Sequence, residues 1–495
     1  MTVLKPSPRL WGLLLLFGML MFPVIGLTGI VLLNLFTLLV INFERIRVAL
    51  RPRPQLSIPE SNHKPFISIQ VPCYNEPPEL LRATLRSLAN LNYEQYEVIV
   101  LDNNTADPKV YEPVRRFCAH LGERFRFFHY DNVKGFKAGA LNIAHTLTDP
   151  RTEFILVIDA DYVLDPDLIQ GALPHFSRPE IGLVQFPQAY LNTNNENAGL
   201  QAEYEHFFGV YMNQANRCGC VLATGTVSFI RKTALEAAGL WSGKSITEDV
   251  ELGLNIREAG YEGVYVPAPL GRGLMPTDLT DLSVQRERWV YGNMQTLLSF
   301  LPTARGYCWS AIRTIVLFLT AWFNFLIIPT AVLLVTIVLY PFEILVDAAL
   351  PIAQLCLFSI FLELTLTAIF FMGIKNEGFA RPEKRFAALL THLALSFEGA
   401  VNWIKVPFRP GMPFKRTNKF LKAGMQKFGF SKTYLLAAVP LFASFTIFHD
   451  QMPEFSVALF IAALFVLSNI YLSRQLRATE QLSQQFYQST ETLEL

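Results

Sequence analysis

The chain is predicted to fold as an α/β domain, a mostly parallel sheet with helices on both faces, inserted between transmembrane helices. Hydrophobic residues make up 51% and charged residues 17% of its 495 residues, too apolar for a wholly soluble protein and too polar for a bare helix bundle. From Phe66 to about Gly273, short apolar runs alternate with helical periodicity, the pattern of parallel strands covered on both sides. On either side of that region lie apolar stretches long enough to cross a bilayer. A net charge of +1 supplies no global basic field and argues against nucleic acid as a partner.

The elements follow in order. Residues 1–45 form an anchor whose apolar stretch, 11–41, outruns a signal-peptide core and lacks a small-residue cleavage site. It reads as one long tilted span or as two short ones folded at Pro23-Val-Ile-Gly26. Arg45, Arg47, Arg51 and Arg53 crowd its exit, which places them in the cytoplasm. Residues 46–64 are a linker stiffened by Pro52, Pro54 and Pro59. The α/β domain occupies 65–285, with strands at 67–71, 97–101, 125–129, 154–158 and 182–186 and a helix over 78–90. Residues 286–310 are an interfacial helix.

Residues 311–373 hold two spans, 311–340 with a bend at Pro329, and 351–372. Residues 374–432 are a basic segment whose stretch 386–404 lies at the interface, because His392, Glu398 and Asn402 are costly facing lipid. Two more spans, 434–448 and 455–472, fall within 433–474. The polar tail 475–495 is expected as a short exposed helix. The links around Glu343 and Asp347, and around Asp450 and Glu454, contain no Lys or Arg. The basic segment therefore belongs inside, with the α/β domain. Cys73, Cys118, Cys218, Cys220, Cys308 and Cys356 are scattered without zinc-type spacing and read as unpaired, mostly buried thiols in a reducing compartment.

Ligands of open α/β sheets collect at the carboxyl ends of strands, and Asp102 and Asp159 each follow an apolar strand run. Asp159 and Asp161, one residue apart, suit a divalent cation shared with a diphosphate; a solvated turn is the plainer reading. Lys137 heads the helical run 137–142, where ammonium and free amides face phosphate; it also reads as an ordinary surface lysine. Thr247-Glu248-Asp249 precedes a helix, so Asp249 is expected to stay ionised and able to take a hydroxyl proton, or simply to cap the helix. Gln285, Arg286, Arg288 and Trp289 join a charge fork for phosphate to an indole face for a sugar ring, or anchor the interface. Glu363, inside a span, either lines a sugar path with Trp322 and Trp403 or makes an interhelical hydrogen bond.

In this order and spacing, Asp102, Lys137-Ala-Gly, Asp159-Ala-Asp161, Thr247-Glu-Asp249 and Gln285-Arg-Glu-Arg288-Trp289 resemble the processive, inverting family 2 glycosyltransferases. Cellulose synthase catalytic subunits and β-glucan synthase-like membrane transferases typify that family, and the resemblance covers 65–473. It implies a GT-A catalytic domain, a nucleotide-diphosphate sugar donor, Mg2+ or Mn2+, and a transmembrane channel. By position, Pro72, Tyr74, Asn75 and Glu76 would border the uracil, with Asp102 beside the uridine. Lys137 and Arg288 would hold the diphosphate, Asp159 and Asp161 the metal, and Asp249 would be the general base. Gly225, Thr226, Glu248, Gln285 and Trp289 would meet the acceptor. Phe414, Thr417 and Lys419 would belong to a gating loop.

Three departures accompany the resemblance. Asn103-Asn104-Thr105 replaces a second aspartate, a variant associated with β-1,3-type glucans; Leu222-Ala-Thr224 lacks the aromatic and cysteine of cellulose synthases; and the cyclic-dinucleotide-binding barrel of many relatives is not expected after the last span. The expected function is polymerisation of a UDP-sugar, UDP-glucose, into a β-glucan passed across a bacterial inner membrane from a cytoplasmic catalytic domain. The growing polysaccharide and the lipid bilayer would be its partners, with room for an export partner outside. The alternative is a glycolipid synthase acting on diacylglycerol or ceramide. A degenerate, non-enzymatic scaffold fits poorly, because every ionisable group of a working site is present.

Overall fold

The computed structural model describes residues 23–52, 63–375, 379–408, 411 and 431–492. The gating-loop residues Phe414, Thr417 and Lys419 and the first 22 residues of the anchor lie outside the described residues.

Among the described residues there are ten strands: β1 (Phe66–Cys73), β2 (Tyr96–Asn103), β3 (Phe125–Tyr130), β4 (Thr152–Val157), β5 (Val163–Leu164), β6 (Ile181–Gln185), β7 (Ala189–Tyr190), β8 (Ser228–Arg231), β9 (Glu262–Tyr265) and β10 (Gly271–Gly273). Seven form one sheet in the order β3-β2-β1-β4-β8-β6-β9. Its neighbours pair parallel, except that β8 runs antiparallel to both β4 and β6. Every residue of β2 is buried, as expected of a Val/Ile-rich strand covered on both faces. On one face Leu81, Leu85 and Leu88 of helix Pro78–Ala89 pack on Ile69, Val71, Val98 and Val100. On the other, Ala140 and Ala144 of helix Phe136–Thr146 pack on Ile99 and Leu101. The expected class, a mostly parallel sheet with helices on both faces, is what forms.

The chain builds outward from β1 through β2 to β3, then crosses back to place β4 on the other side of β1. This reversal opens a crevice at the carboxyl ends of β1 and β4. Tyr74, Asn75 and Glu76 leave one strand there, and Asp159, Ala160 and Asp161 the other. A small second sheet, β5-β10-β7, carries the chain after Gly273 back over the same crevice.

Among the described residues, three helices are long and apolar enough to cross a membrane: Pro23–Ala49, Ala349–Gly373 and Met452–Thr490. Large apolar side chains such as Leu33, Phe36, Phe358, Phe442, Phe460 and Leu467 remain exposed on this part of the chain, as a lipid-facing surface requires. The expected span 311–340 is not one bent helix. It is two helices, Trp309–Leu319 and Ile327–Leu339, with a non-helical stretch between them. Pro329 is the third residue of the second helix, where its missing N–H leaves no intrahelical bond unmade.

Backbone freed inside an apolar bundle must find partners, and buried side chains supply them. Arg45 Nη2 donates to the carbonyls of Thr320 (2.5 Å) and Phe323 (2.8 Å), and Asn34 Nδ2 donates to that of Phe325 (3.1 Å). Glu363 accepts from Asn42 Nδ2 (2.7 Å) and from the Phe325 N–H (3.4 Å). Trp403 Nε1 donates to the Asn324 carbonyl (3.1 Å). Two expectations are thereby resolved. Arg45 is buried in the bundle rather than flanking it, and Glu363 makes the interhelical hydrogen bond.

The tail also departs from expectation. Residues past Arg474 are not a short exposed helix; they continue the last apolar helix as one element, Met452–Thr492. Gln475, Thr479 and Ser483 are buried in hydrogen bonds to the α/β domain. His392, Glu398 and Asn402 sit on two helices, Pro382–Ala394 and Ser396–Lys405, and Glu398 and Asn402 are buried.

Candidate active site

The motif Lys137-Ala-Gly139 begins the helix Phe136–Thr146, after Gly135 in the left-handed region (φ 85°). A Cβ on Gly139 would come within 1.9 Å of the Lys134 carbonyl oxygen, so only glycine permits this tight entry. The entry aims Lys137 inward. Its Nζ donates to Asp159 Oδ1 (2.5 Å) and to the Gly225 carbonyl (2.7 Å). The Asp159 N–H donates to Thr226 Oγ1 (3.0 Å), and Asp161 Oδ2 accepts the Leu274 N–H (3.3 Å).

Glu248 and Asp249 open the helix Glu248–Glu258. Gly225 is left-handed (φ 88°), and a Cβ there would lie 2.9 Å from Asp249 Oδ2. Burial, then the neighbouring Glu248 charge, push the Asp249 carboxyl up to about 7, against the pull of Lys137 and two backbone N–H groups. Glu248 is also raised, again first by burial. Desolvation thus works against the helix terminus, which on its own would keep Asp249 ionised. For Lys137 burial opposes the charge, but Asp159, Glu248 and Asp249 outweigh it and hold the ammonium above its usual range.

Gln285, Arg288 and Trp289 lie at i, i+3 and i+4 on helix Leu279–Phe300 and share the face that lines the cleft. The Tyr204 hydroxyl donates to Gln285 Oε1. Trp289 meets Tyr204 edge-on at 5.8 Å and Trp322 at 5.2 Å. Arg286 points the other way and is no part of a phosphate fork. It is 2% exposed, bonds Glu203 Oε2 at 2.7 Å, and stacks over Trp322 at 3.8 Å.

Pro72, Tyr74, Glu76, Lys137, Asp159, Asp161, Gly225, Glu248, Asp249, Gln285, Arg288 and Trp289 thus line one cleft. Asp102 and Thr226 do not. Asp102 is buried beneath the wall, bonded by Thr105 Oγ1 (2.7 Å) and His129 Nδ1 (2.8 Å). Thr105 Oγ1 in turn accepts the N–H of left-handed Asn75 (2.7 Å; φ 49°). Asn104, also left-handed, bonds both the N–H (2.8 Å) and the carbonyl (3.0 Å) of Val133. The variant Asn103-Asn104-Thr105 therefore ties together the loops at the Tyr74–Glu76 end of the cleft. Thr226, 1% exposed, is occupied in holding the Asp159 backbone.

The cleft also takes residues that sequence reasoning passed over. Phe207 and Phe208 enter from a π-helical turn, Phe207–Met212, a local irregularity common at functional sites. Met275 and Thr277 follow β10, and Ser483 and Tyr487 arrive from the C-terminal helix. Among the described residues, no group of three or more His, Cys, Asp or Glu could by itself hold a metal ion. Two carboxylates beside the Lys137 ammonium nevertheless suit a hard cation that draws its remaining oxygens from a ligand and water.

Known proteins are similar to this chain across the α/β domain. Residues 154–401, just over half of the chain, match the model of glycosyl transferase family group 2, and residues 68–239 match that of glycosyl transferase family 2. A poly-β-1,6-N-acetyl-D-glucosamine synthase of Staphylococcus epidermidis is 28% identical over 53% of this chain and 62% of its own length. A cellulose synthase catalytic subunit (UDP-forming) of Xanthomonas axonopodis pv. citri is 25% identical over 52% of this chain and 36% of its own. A β-monoglucosyldiacylglycerol synthase of Trichormus variabilis is 30% identical over 48% and 50%. The chain spans about half the length of the curated relatives it matches.

Proposed function

Since the chain belongs to glycosyl transferase family group 2, with the GT-A fold class its sheet displays, we propose that it is an inverting membrane polymerase. It draws on a UDP-sugar, UDP-glucose, extends a β-linked glucan, and passes the product across a bacterial inner membrane from a cytoplasmic catalytic domain. The observation that carries this reading is the Asp249 carboxyl, held near neutrality beside Gly225 in the cleft that contains the Lys137–Asp159 pair.

The acceptor hydroxyl gives its proton to Asp249 as its oxygen attacks the anomeric carbon and the bond to the diphosphate breaks. A carboxylate with a pKa close to the working pH is matched to that transfer. Lys137 and Arg288 take up the charge of the departing diphosphate. Asp159 and Asp161 would hold Mg2+ or Mn2+, which would supply Lewis-acid neutralisation of the same charge. Gln285, Glu248 and Trp289 orient the acceptor sugar, the indole giving it a stacking face. Pro72, Tyr74 and Glu76 border the base, and Asp102 acts through Thr105 to hold their loop. Phe414, Thr417 and Lys419 remain the proposed gating loop.

The relative that makes a glucosyl-diacylglycerol supports a second reading, transfer of one or a few sugars to a lipid. Incubation of the full chain in nanodiscs with labelled UDP-glucose separates the two. Insoluble polymer supports the first and refutes the second; organic-extractable label does the reverse. A panel of UDP-sugars with linkage analysis identifies the product.

A further inference from the structure

The C-terminal helix extends well beyond what an anchor needs. Met452–Thr492 runs unbroken for 41 residues, about 60 Å at 1.5 Å per residue, roughly twice the hydrocarbon thickness of a bilayer. Its second half carries Gln475, Thr479, Ser483 and Tyr487 at strict four-residue spacing, each no more than 7% exposed, and so on one face.

The first three form a ladder of hydrogen bonds. Gln475 Oε1 accepts the Leu200 N–H (2.6 Å), Thr479 Oγ1 accepts from Asn197 Nδ2 (2.8 Å), and Ser483 Oγ accepts from Asn192 Nδ2 (2.9 Å). Asn192 also clamps Met275, taking its N–H on Oδ1 (2.9 Å) and donating to its carbonyl (3.0 Å). The adjoining Leu274 N–H reaches Asp161 Oδ2 (3.3 Å). The fourth rung, Tyr487, lines the cleft. The same helix packs on Pro78–Ala89, which leads directly from the Tyr74–Glu76 loop.

We propose that this helix is a wall of the donor site. Tyr487 is a specificity-determining contact for the nucleotide-sugar donor. Gln475, Thr479 and Ser483 are positioning residues that hold Tyr487 in place and, through Asn192, steady the loop over Asp161. The proposal rests on the glycosyltransferase reading above and adds a donor contact to it. A tyrosine at this position offers a ring face and a hydroxyl to one ligand, and a polar ladder fixes its rotation more tightly than apolar packing alone.

The test uses the full chain in nanodiscs, with UDP plus Mn2+ as the binding probe and initial rates with UDP-glucose. Tyr487→Ala and Tyr487→Leu are expected to raise the UDP Kd and the donor KM about tenfold, with kcat within about twofold, the signature of binding shared by ground and transition states. Tyr487→Leu retains the bulk and helical preference of the site, so it reports even where the alanine variant loosens the helix. Ser483→Ala moves KM in the same direction, and Gln485→Ala, on the exposed face, leaves both constants unchanged. Wild-type Kd and KM in Tyr487→Leu would overturn the proposal alone. A wild type that neither binds UDP nor transfers sugar would overturn the transferase reading and this proposal with it.

Discussion

Replacing Glu203 by glutamine, or Arg286 by methionine, strands a buried group. Glu203 is 0% exposed, and its oxygens meet Arg286 Nη2 at 2.7 Å and His392 Nδ1 at 3.2 Å. Arg286 Nε and Nη1 have no hydrogen-bond partner among the described residues, so the guanidinium depends on that one carboxylate and on three aromatic faces, Trp322 at 3.8 Å, Trp289 at 4.9 Å and Tyr204 at 5.4 Å. Burial raises the Glu203 carboxyl, yet the Arg286 charge and the hydrogen bond from His392 outweigh it and bring it down to about 2. Breaking such a pair from one side costs about 3–5 kcal/mol, whereas replacing both partners with apolar groups of similar volume is often neutral or stabilising. Each single variant should therefore lose about that much, and Glu203→Leu/Arg286→Met should be more stable than either. Equilibrium unfolding in detergent micelles, followed by tryptophan fluorescence, measures this. Losses that simply add in the double variant, or an Arg286→Met protein of wild-type stability with weakened UDP binding, would refute the structural role assigned to Arg286.

Asp249→Asn should abolish transfer while leaving UDP binding largely intact, as calorimetry beside a product assay would register; equal losses of both would remove Asp249 from the base role. With that carboxyl at about 7, only its deprotonated form accepts the hydroxyl proton, so kcat/KM should rise with pH through about 7 and level off above it. Buried His206 is held neutral, its pKa brought down to about 3 chiefly by burial. The unfolded chain binds that proton more readily, so His206 contributes stability that is full above about pH 6.5 and is lost as pH falls towards 3. The melting temperature should follow this course, and His206→Phe should flatten it. Gly139→Ala should abolish donor binding or folding, since its Cβ has no room beside the Lys134 carbonyl; a folded variant with normal UDP affinity would contradict the entry geometry.

The parallel strands were legible because Val- and Ile-rich runs announce burial on both faces, and the cleft motifs because polar residues stood at the ends of those runs. β8 was not, since the four residues Ser228–Arg231 are too few to display a period. Arg286 and Arg288 look alike in sequence, but two residues on a helix are about 200° apart, so one faces the core and the other the cleft. The shared i, i+3, i+4 face of Gln285, Arg288 and Trp289 was the available clue. Hydropathy also hid the break after Leu319, whose polar partners Asn34 and Arg45 belong to a helix far away in the chain. The ladder of the C-terminal helix was readable as a four-residue period of Gln, Thr, Ser and Tyr, and polarity disguised it as solvent exposure.

The buried arginine of helix Pro23–Ala49 imposes an order on biosynthesis. Arg45 leaves the ribosome 275 residues before Thr320, whose carbonyl it binds, and the whole sheet is translated in the interval. A guanidinium buried among apolar helices without partners is costly, so helix Pro23–Ala49 completes its packing only after the later segment has been made. Completion of the membrane half is thus timed by elongation through the catalytic half, and a chain halted before residue 320 is left with an anchor that has nothing to grip.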